Sequence, residues 1–251
     1  MSIWGKIIGG TTGFALGGPI GALIGALAGH AVDRMNEPTA APGSETEPGL
    51  RGTQSRQIAF TIAVITLGAK IAKADGVVKR VEVDAFKQVF HVPPHELNNV
   101  SRVFNRARRE AAGFEPYAEQ VAKMFAGEPA VLEELLSALF HIAKADGTYH
   151  PKERAFLHDV ARIFGFTEKD FARIEAEQMG PDKADPYTIL GVTPEDSDAA
   201  VKTAYRKFIR ENHPDKLIAQ GLPQEFIDLA NERMAKVNAA YERIRKDRGR
   251  K

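Results

Sequence analysis

Tyr205-Arg206-Lys207-Phe208-Ile209-Arg210-Glu211-Asn212-His213-Pro214-Asp215-Lys216 carries the end of one helix and the signal that stops it. From Asp198 to Asn212 the apolar residues Val201, Ala204, Tyr205 and Phe208 recur at i, i+3, i+4 and i+7, which places them on one helix face. That face is expected to be core. Lys202, Arg206 and Arg210, each four residues from the next and with Lys207 beside them, form a basic stripe leading towards His213. Pro214 ends the helix, because proline disfavours helical geometry in the residue before it and has no N–H to donate. Downstream, Phe226, Leu229, Ala230, Met234, Val237, Tyr241 and Ile244 repeat the helical period, so the chain folds back. His213-Pro214-Asp215 is thus expected at the open end of a helical hairpin. Asp185-Pro186-Tyr187-Thr188-Ile189-Leu190-Gly191-Val192 supplies a short apolar turn able to plug the hairpin's base.

These elements, in this order, resemble a complete J-domain from residue 185 to about 246. A lone His-Pro-Asp tripeptide is weak evidence; the flanking elements give the match its specificity. The resemblance implies a partner, an ATP-dependent chaperone of the DnaK type whose ATP hydrolysis J-domains accelerate. The partner-binding residues it implies are His213, Pro214 and Asp215, with Lys202, Tyr205, Arg206, Lys207 and Arg210 on the preceding helix.

The whole chain has 251 residues, enough for two domains with appendages. It contains no cysteine, which removes disulfides, thiolate zinc sites and a cysteine nucleophile. A net charge of +1 provides no field for nucleic acid. Nor does either domain: residues 181–251 carry 14 basic and 12 acidic side chains, and 58–180 carry 16 and 17.

At the amino terminus, residues 7–32 contain no Asp, Glu, Lys or Arg. A run of about 20 such residues crosses a bilayer. Gly5, Gly9, Gly13, Gly17, Gly21, Gly25 and Gly29 fall at an unbroken interval of four. In water so many glycines make a poor helix, but in lipid the backbone has no other partner, and small residues at this spacing let two helices approach closely. Residues 1–33 therefore read as a single transmembrane helix of glycine-zipper type, with Gly9, Gly13, Gly17, Gly21 and Gly25 as a dimer face. A cleaved signal peptide is the rival reading, with Lys6 before the apolar run and Ala26-Leu27-Ala28 within it. The run's length and its glycine period weigh against cleavage. Residues 34–57, rich in Pro, Gly, Ser, Thr and Glu, read as a disordered linker.

Residues 58–180 read as a second, all-α unit with an internal duplication. Ile71-Ala72-Lys73-Ala74-Asp75-Gly76 recurs as Ile142-Ala143-Lys144-Ala145-Asp146-Gly147, and Glu82 and Glu153 each follow the Asp by seven residues. Helices are expected over 58–73, 94–111, 116–125, 131–144 and 167–179, the last opening on a capping-box-like Thr167-x-x-Asp170. In each copy the Asp is suited to cap the following helix and the Gly to take a left-handed turn. The duplicated turn resembles the TerB-like domain of tellurite-resistance proteins. In that family the acidic residues of these turns are candidate metal ligands, and Asp75, Glu82, Asp146 and Glu153 match them; four carboxylates would suit a hard divalent cation. The same residues serve equally as helix caps without metal.

The remaining histidines make no metal pattern. Pro93-Pro94 breaks the helix that would align His91 with His95, and His141, His150 and His158 read as ordinary polar or core residues. No nucleophile elbow, phosphate loop or dinucleotide fingerprint occurs, so no enzymatic activity and no required cofactor are expected. In order, the three parts resemble the membrane-anchored DnaJ-like co-chaperones over almost the whole chain. That resemblance implies a single-pass protein of a bacterial inner membrane with its carboxyl-terminal domains cytoplasmic. Its partners would be the lipid bilayer, a DnaK-type chaperone and, through the glycines, a second copy. The rival class is a membrane stress or metal sensor whose TerB-like domain is primary and whose J-domain is an output.

Overall fold

The computed structural model describes residues 18–22, 48–72, 97–109, 113–179 and 184–249. Every regular element among them is helical, in keeping with the expected fold class. The first unit comprises α1 (Pro48–Ile71), α2 (Leu97–Arg109), α3 (Glu115–Met124), α4 (Pro129–Ala143), α5 (Pro151–Ile163) and α6 (Glu168–Met179). α4 is apolar around most of its circumference, and such a helix is stable in water only at the centre of a bundle. Every residue from Val131 to Phe140 is indeed buried, and α1 is buried along its second half from Ile58.

Two expectations about this unit are corrected. α1 begins at Pro48, so residues 48–57 are helix rather than linker. Proline suits the first helical position, and Arg56 fixes the turn: its guanidinium donates to Glu128 Oε1 (2.8 Å) and the Met124 carbonyl (3.0 Å) and lies over the Phe125 ring. Tertiary contacts thus extend a helix that local composition disfavours. In the duplicated turn Gly147 takes the left-handed conformation (φ +81°), but Asp146 does not cap α5. It accepts from the Thr148 N–H (2.8 Å), while His150 is the cap residue and its N–H is taken by Glu153 Oε2 (2.9 Å). Pro151 at the first helical position sets that boundary. Thr167 and Asp170 do form the reciprocal cap of α6, at 3.0 and 3.2 Å.

The second unit is a hairpin with a short lead-in. Asp185 accepts from the Thr188 N–H (2.9 Å) to start α7 (Pro186–Leu190), which Gly191 closes at φ +66°. Ser197 caps α8 (Asp198–Glu211), and α10 (Ile227–Asp247) returns antiparallel. Ile189 and Leu190 plug the base against Val201, Val237, Ala240 and Ile244. Arg248 fastens that end: it donates to Tyr187 Oη (3.0 Å), Asp198 Oδ1 (2.8 Å) and the Asp196 and Pro194 carbonyls (2.8 and 2.9 Å). Between the long helices the structure inserts α9 (Pro214–Ala219) and a 3-10 turn (Gln224–Phe226), which the sequence pattern did not indicate.

This insert packs into the first unit. Leu217, Leu222 and Phe226 belong to its core, and the Phe226 ring stands edge-on to Phe60 at 4.8 Å. Beside them the two units share a buried ionic cluster. Arg233 of α10, 1% exposed, directs Nε to Glu177 Oε2 (3.0 Å), Nη1 to Glu134 and Nη2 to Glu133. Arg173 of α6 clamps Glu133 through two nitrogens (2.8 and 2.7 Å) and reaches Glu177 Oε1 (2.6 Å). Burial works against all three carboxylates. At Glu133 the two guanidiniums outweigh it and hold the carboxyl down at about 2, whereas at Glu134 and Glu177 burial prevails and pushes them up.

Candidate functional site

α8 ends at Glu211, and only Asn212 and His213 separate it from α9. Asn212 is buried, with its backbone N–H on the Phe208 carbonyl (2.9 Å) and its side-chain amide on the same oxygen (3.0 Å), so the chain leaves α8 at a fixed angle. His213 then turns extended (φ −62°, ψ 131°) and becomes the cap of α9, its Nδ1 accepting from the Asp215 N–H at 3.3 Å. Pro214 occupies the first helical position, where its missing N–H costs nothing. The tripeptide is therefore a helix start rather than a loose loop. It still faces solvent, with the His213 side chain 54% and Asp215 89% exposed.

Lys202, Arg206, Lys207 and Arg210 are all exposed on α8. Tyr205 differs from them: its ring stacks on Tyr241 at 4.1 Å and 3°, and its hydroxyl donates to Asn238 Oδ1 (3.0 Å). It works inside the hairpin as a spacer between α8 and α10. Lys202 and Arg206 border a cavity of about 480 Å³ floored by Tyr205 and Tyr241. Lys207, Glu211 and Asn212 border another, of about 500 Å³, whose far wall is Phe164, Lys169 and Arg173 of the first unit.

Of the four carboxylates matched to a cation site, Asp75 and Glu82 lie outside the described residues. Asp146 and Glu153 each commit an oxygen to a backbone N–H of their own turn. Among the described residues no three His, Asp or Glu side chains gather to hold a metal. His158 pairs with Glu168 (2.7 Å) and stands edge-on to Phe171, as an ordinary polar residue would. His91 and His95 lie outside the described residues. Gly9, Gly13, Gly17 and Gly25 of the glycine face do too; Gly21 is buried, and its neighbour Ile20 sits in the main core with its N–H on Gln120 Oε1 (2.9 Å). Among the described residues no helix is long and apolar enough to cross a membrane.

Sequence reasoning missed Arg233, Glu133, Glu134 and Glu177. A signal existed: Arg233 falls midway between Leu229 and Val237 on the apolar stripe of α10, and the two adjacent glutamates interrupt the apolar run of α4.

Comparison with known proteins covers nearly the whole chain. Residues 1–56 match the family model of the co-chaperone DjlA transmembrane domain, 61–176 that of tellurite resistance protein TerB, and 185–251 that of the DnaJ domain. The chain is 32% identical to the co-chaperone protein DjlA of Photobacterium profundum, over 98% of this chain and 99% of that one. It is 31% identical to DjlA of Vibrio cholerae and 27% identical to DjlA of Escherichia coli K12, in both cases over 99% of each chain. No solved structure matches.

Proposed function

The chain belongs to the DjlA family of co-chaperones, and on that premise we propose that it recruits a DnaK-type chaperone and stimulates its ATP hydrolysis through His213, Pro214 and Asp215. The observation that carries this reading is the exposure of His213 and Asp215 at the open end of the hairpin, on a backbone fixed by Asn212 before them and α9 after. Lys202, Arg206, Lys207 and Arg210 lead to that point and would meet an acidic chaperone surface, raising encounter rate more than final affinity. Asp215 offers a carboxylate for a bidentate arginine contact. Tyr205 contributes indirectly, by spacing α8 from α10.

Localisation follows from the partner. A match to a transmembrane domain over 1–56 supports membrane anchoring, and an ATP-dependent partner requires the carboxyl-terminal units on the cytoplasmic side of a bacterial inner membrane, reached by one pass. Self-association along Gly9, Gly13, Gly17, Gly21 and Gly25 would follow from their spacing. For that face to meet a second copy, residues 18–22 must leave Gln120.

His213→Gln should abolish stimulation of the chaperone's ATPase with helix content unchanged; full stimulation by the variant would remove this reading. Gly17→Leu with Gly21→Leu should keep the chain in the membrane fraction and lose crosslinked dimer, whereas undiminished crosslinking would remove the glycine face.

A further inference from the structure

Taken alone, the TerB-like unit brings one guanidinium, that of Arg173, to Glu133 and Glu177, and the neighbouring Glu134 is met by Arg233 instead. Three carboxylates against one buried cation leave two negative charges that cannot stay out of water unpaired. Arg233 of the J-domain enters this pocket and gives each of its three nitrogens a different carboxylate. Lysine, a point charge on a flexible stem, could not satisfy three acceptors set in a fork. Phe208 of α8 closes the pocket from the other side, its ring centroid 5.4 Å from the Arg233 guanidinium carbon and 5.9 Å from that of Arg173. Leu217, Leu222 and Phe226 enter the neighbouring apolar core, and Gln57 Nε2 donates to the Leu222 carbonyl (3.4 Å).

We propose that this acidic pocket is a receptor for the J-domain's returning helix, so that the two units move as one body and present His213-Pro214-Asp215 at one fixed angle to the rest of the anchored chain. The contacts fall on both sides of the tripeptide. Phe208 precedes His213 by five residues and Leu217 follows it by four, so the segment between them has little freedom while docked. Its outward side chains remain free for a partner. The TerB-like unit then acts as a positioning element for the J-domain, and undocking Arg233 would change the presentation of the tripeptide without altering any residue that a chaperone touches.

The absence of cysteine makes the test clean. Lys169→Cys on α6 and Ala239→Cys on α10, both exposed positions, carry spin labels in the full-length chain reconstituted in bilayers, and electron-electron resonance reads the distance between the units. A single narrow distribution is expected, broadening on Arg233→Met and staying narrow on Glu134→Gln, which removes the excess charge but keeps the shape. A broad distribution without further substitution, or an unmoved one in Arg233→Met, would overturn the proposal. If Arg233→Met fails to fold, Glu133→Gln with Glu134→Gln removes two of the three carboxylates that Arg233 meets without shortening a side chain: broadening supports the proposal and a narrow peak overturns it. The functional consequence rests on the co-chaperone reading, but the distance measurement contains no chaperone. Its failure is therefore separable from a failure of His213→Gln to lose stimulation.

Discussion

Arg206 and Arg233 belong to the same hairpin and occupy opposite environments. Arg206 stands with Lys202 and Arg210 on a solvent face, where water screens it and its removal leaves nothing unpaired. Arg233 is sealed among three carboxylates, and removing it strands them. The difference separates two uses of one side chain: on α8 charge acts at long range on a partner, whereas on α10 it acts at contact range on the chain itself.

The largest expected effect breaks the contact-range side. Arg233→Met should cost about 3–5 kcal/mol of stability, the usual consequence of breaking a buried pair, while Arg206→Ala should stay within about 0.5 kcal/mol. Denaturant unfolding of the two variants checks this, and equal losses would erase the contrast. A smaller effect should appear with pH. Glu134 and Glu177 titrate above the ordinary 4.5 in the folded chain, so their contribution is fully present below 4.5 and is lost as pH rises through the raised values. Glu133, held at about 2, behaves oppositely: its contribution is present above 4.5 and lost as pH falls towards 2. Lowering pH towards 4.5 should thus strengthen the wild-type chain relative to Glu134→Gln, and the gain should level off below 4.5, where Glu134 is protonated in both the folded and the unfolded chain. His141, held below its ordinary 6.5 by burial, pulls the other way in both proteins and cancels in the difference. A flat difference curve would mean that Glu134 carries no excess proton. The smallest effect on the protein itself belongs to the stripe: Arg206→Glu with Arg210→Glu should leave stability nearly unchanged, slow chaperone association and flatten its salt dependence. An unchanged salt slope would reduce the stripe to a solvated face.

How much was legible in the sequence follows the same division. Periodicity and stop signals act over a few residues, and they located α8, α10, the tripeptide, the Thr167–Asp170 cap and the plug at Ile189 and Leu190. What escaped was set by partners far along the chain. Arg233 and Glu133 are 100 residues apart, and Arg56 steadies the start of α1 through Glu128, 72 residues away. An arginine on an apolar stripe and a glutamate pair inside an apolar run are each an anomaly that only a matching anomaly elsewhere explains. The Asp146 error had a local cause: a proline at the first helical position moved the start of α5 four residues beyond the glycine, and the cap moved with it.

Arg248 has a consequence for where the chain can be shortened or joined to another. Its one guanidinium holds Tyr187, the Asp196 and Pro194 carbonyls and Asp198, so it works as a buckle between the last turn of α10 and the segment leading into α8. A break placed after Arg248 leaves these four contacts in place. A cut one residue earlier unfastens the end of the hairpin opposite His213, although every residue of the tripeptide and the basic stripe would still be present.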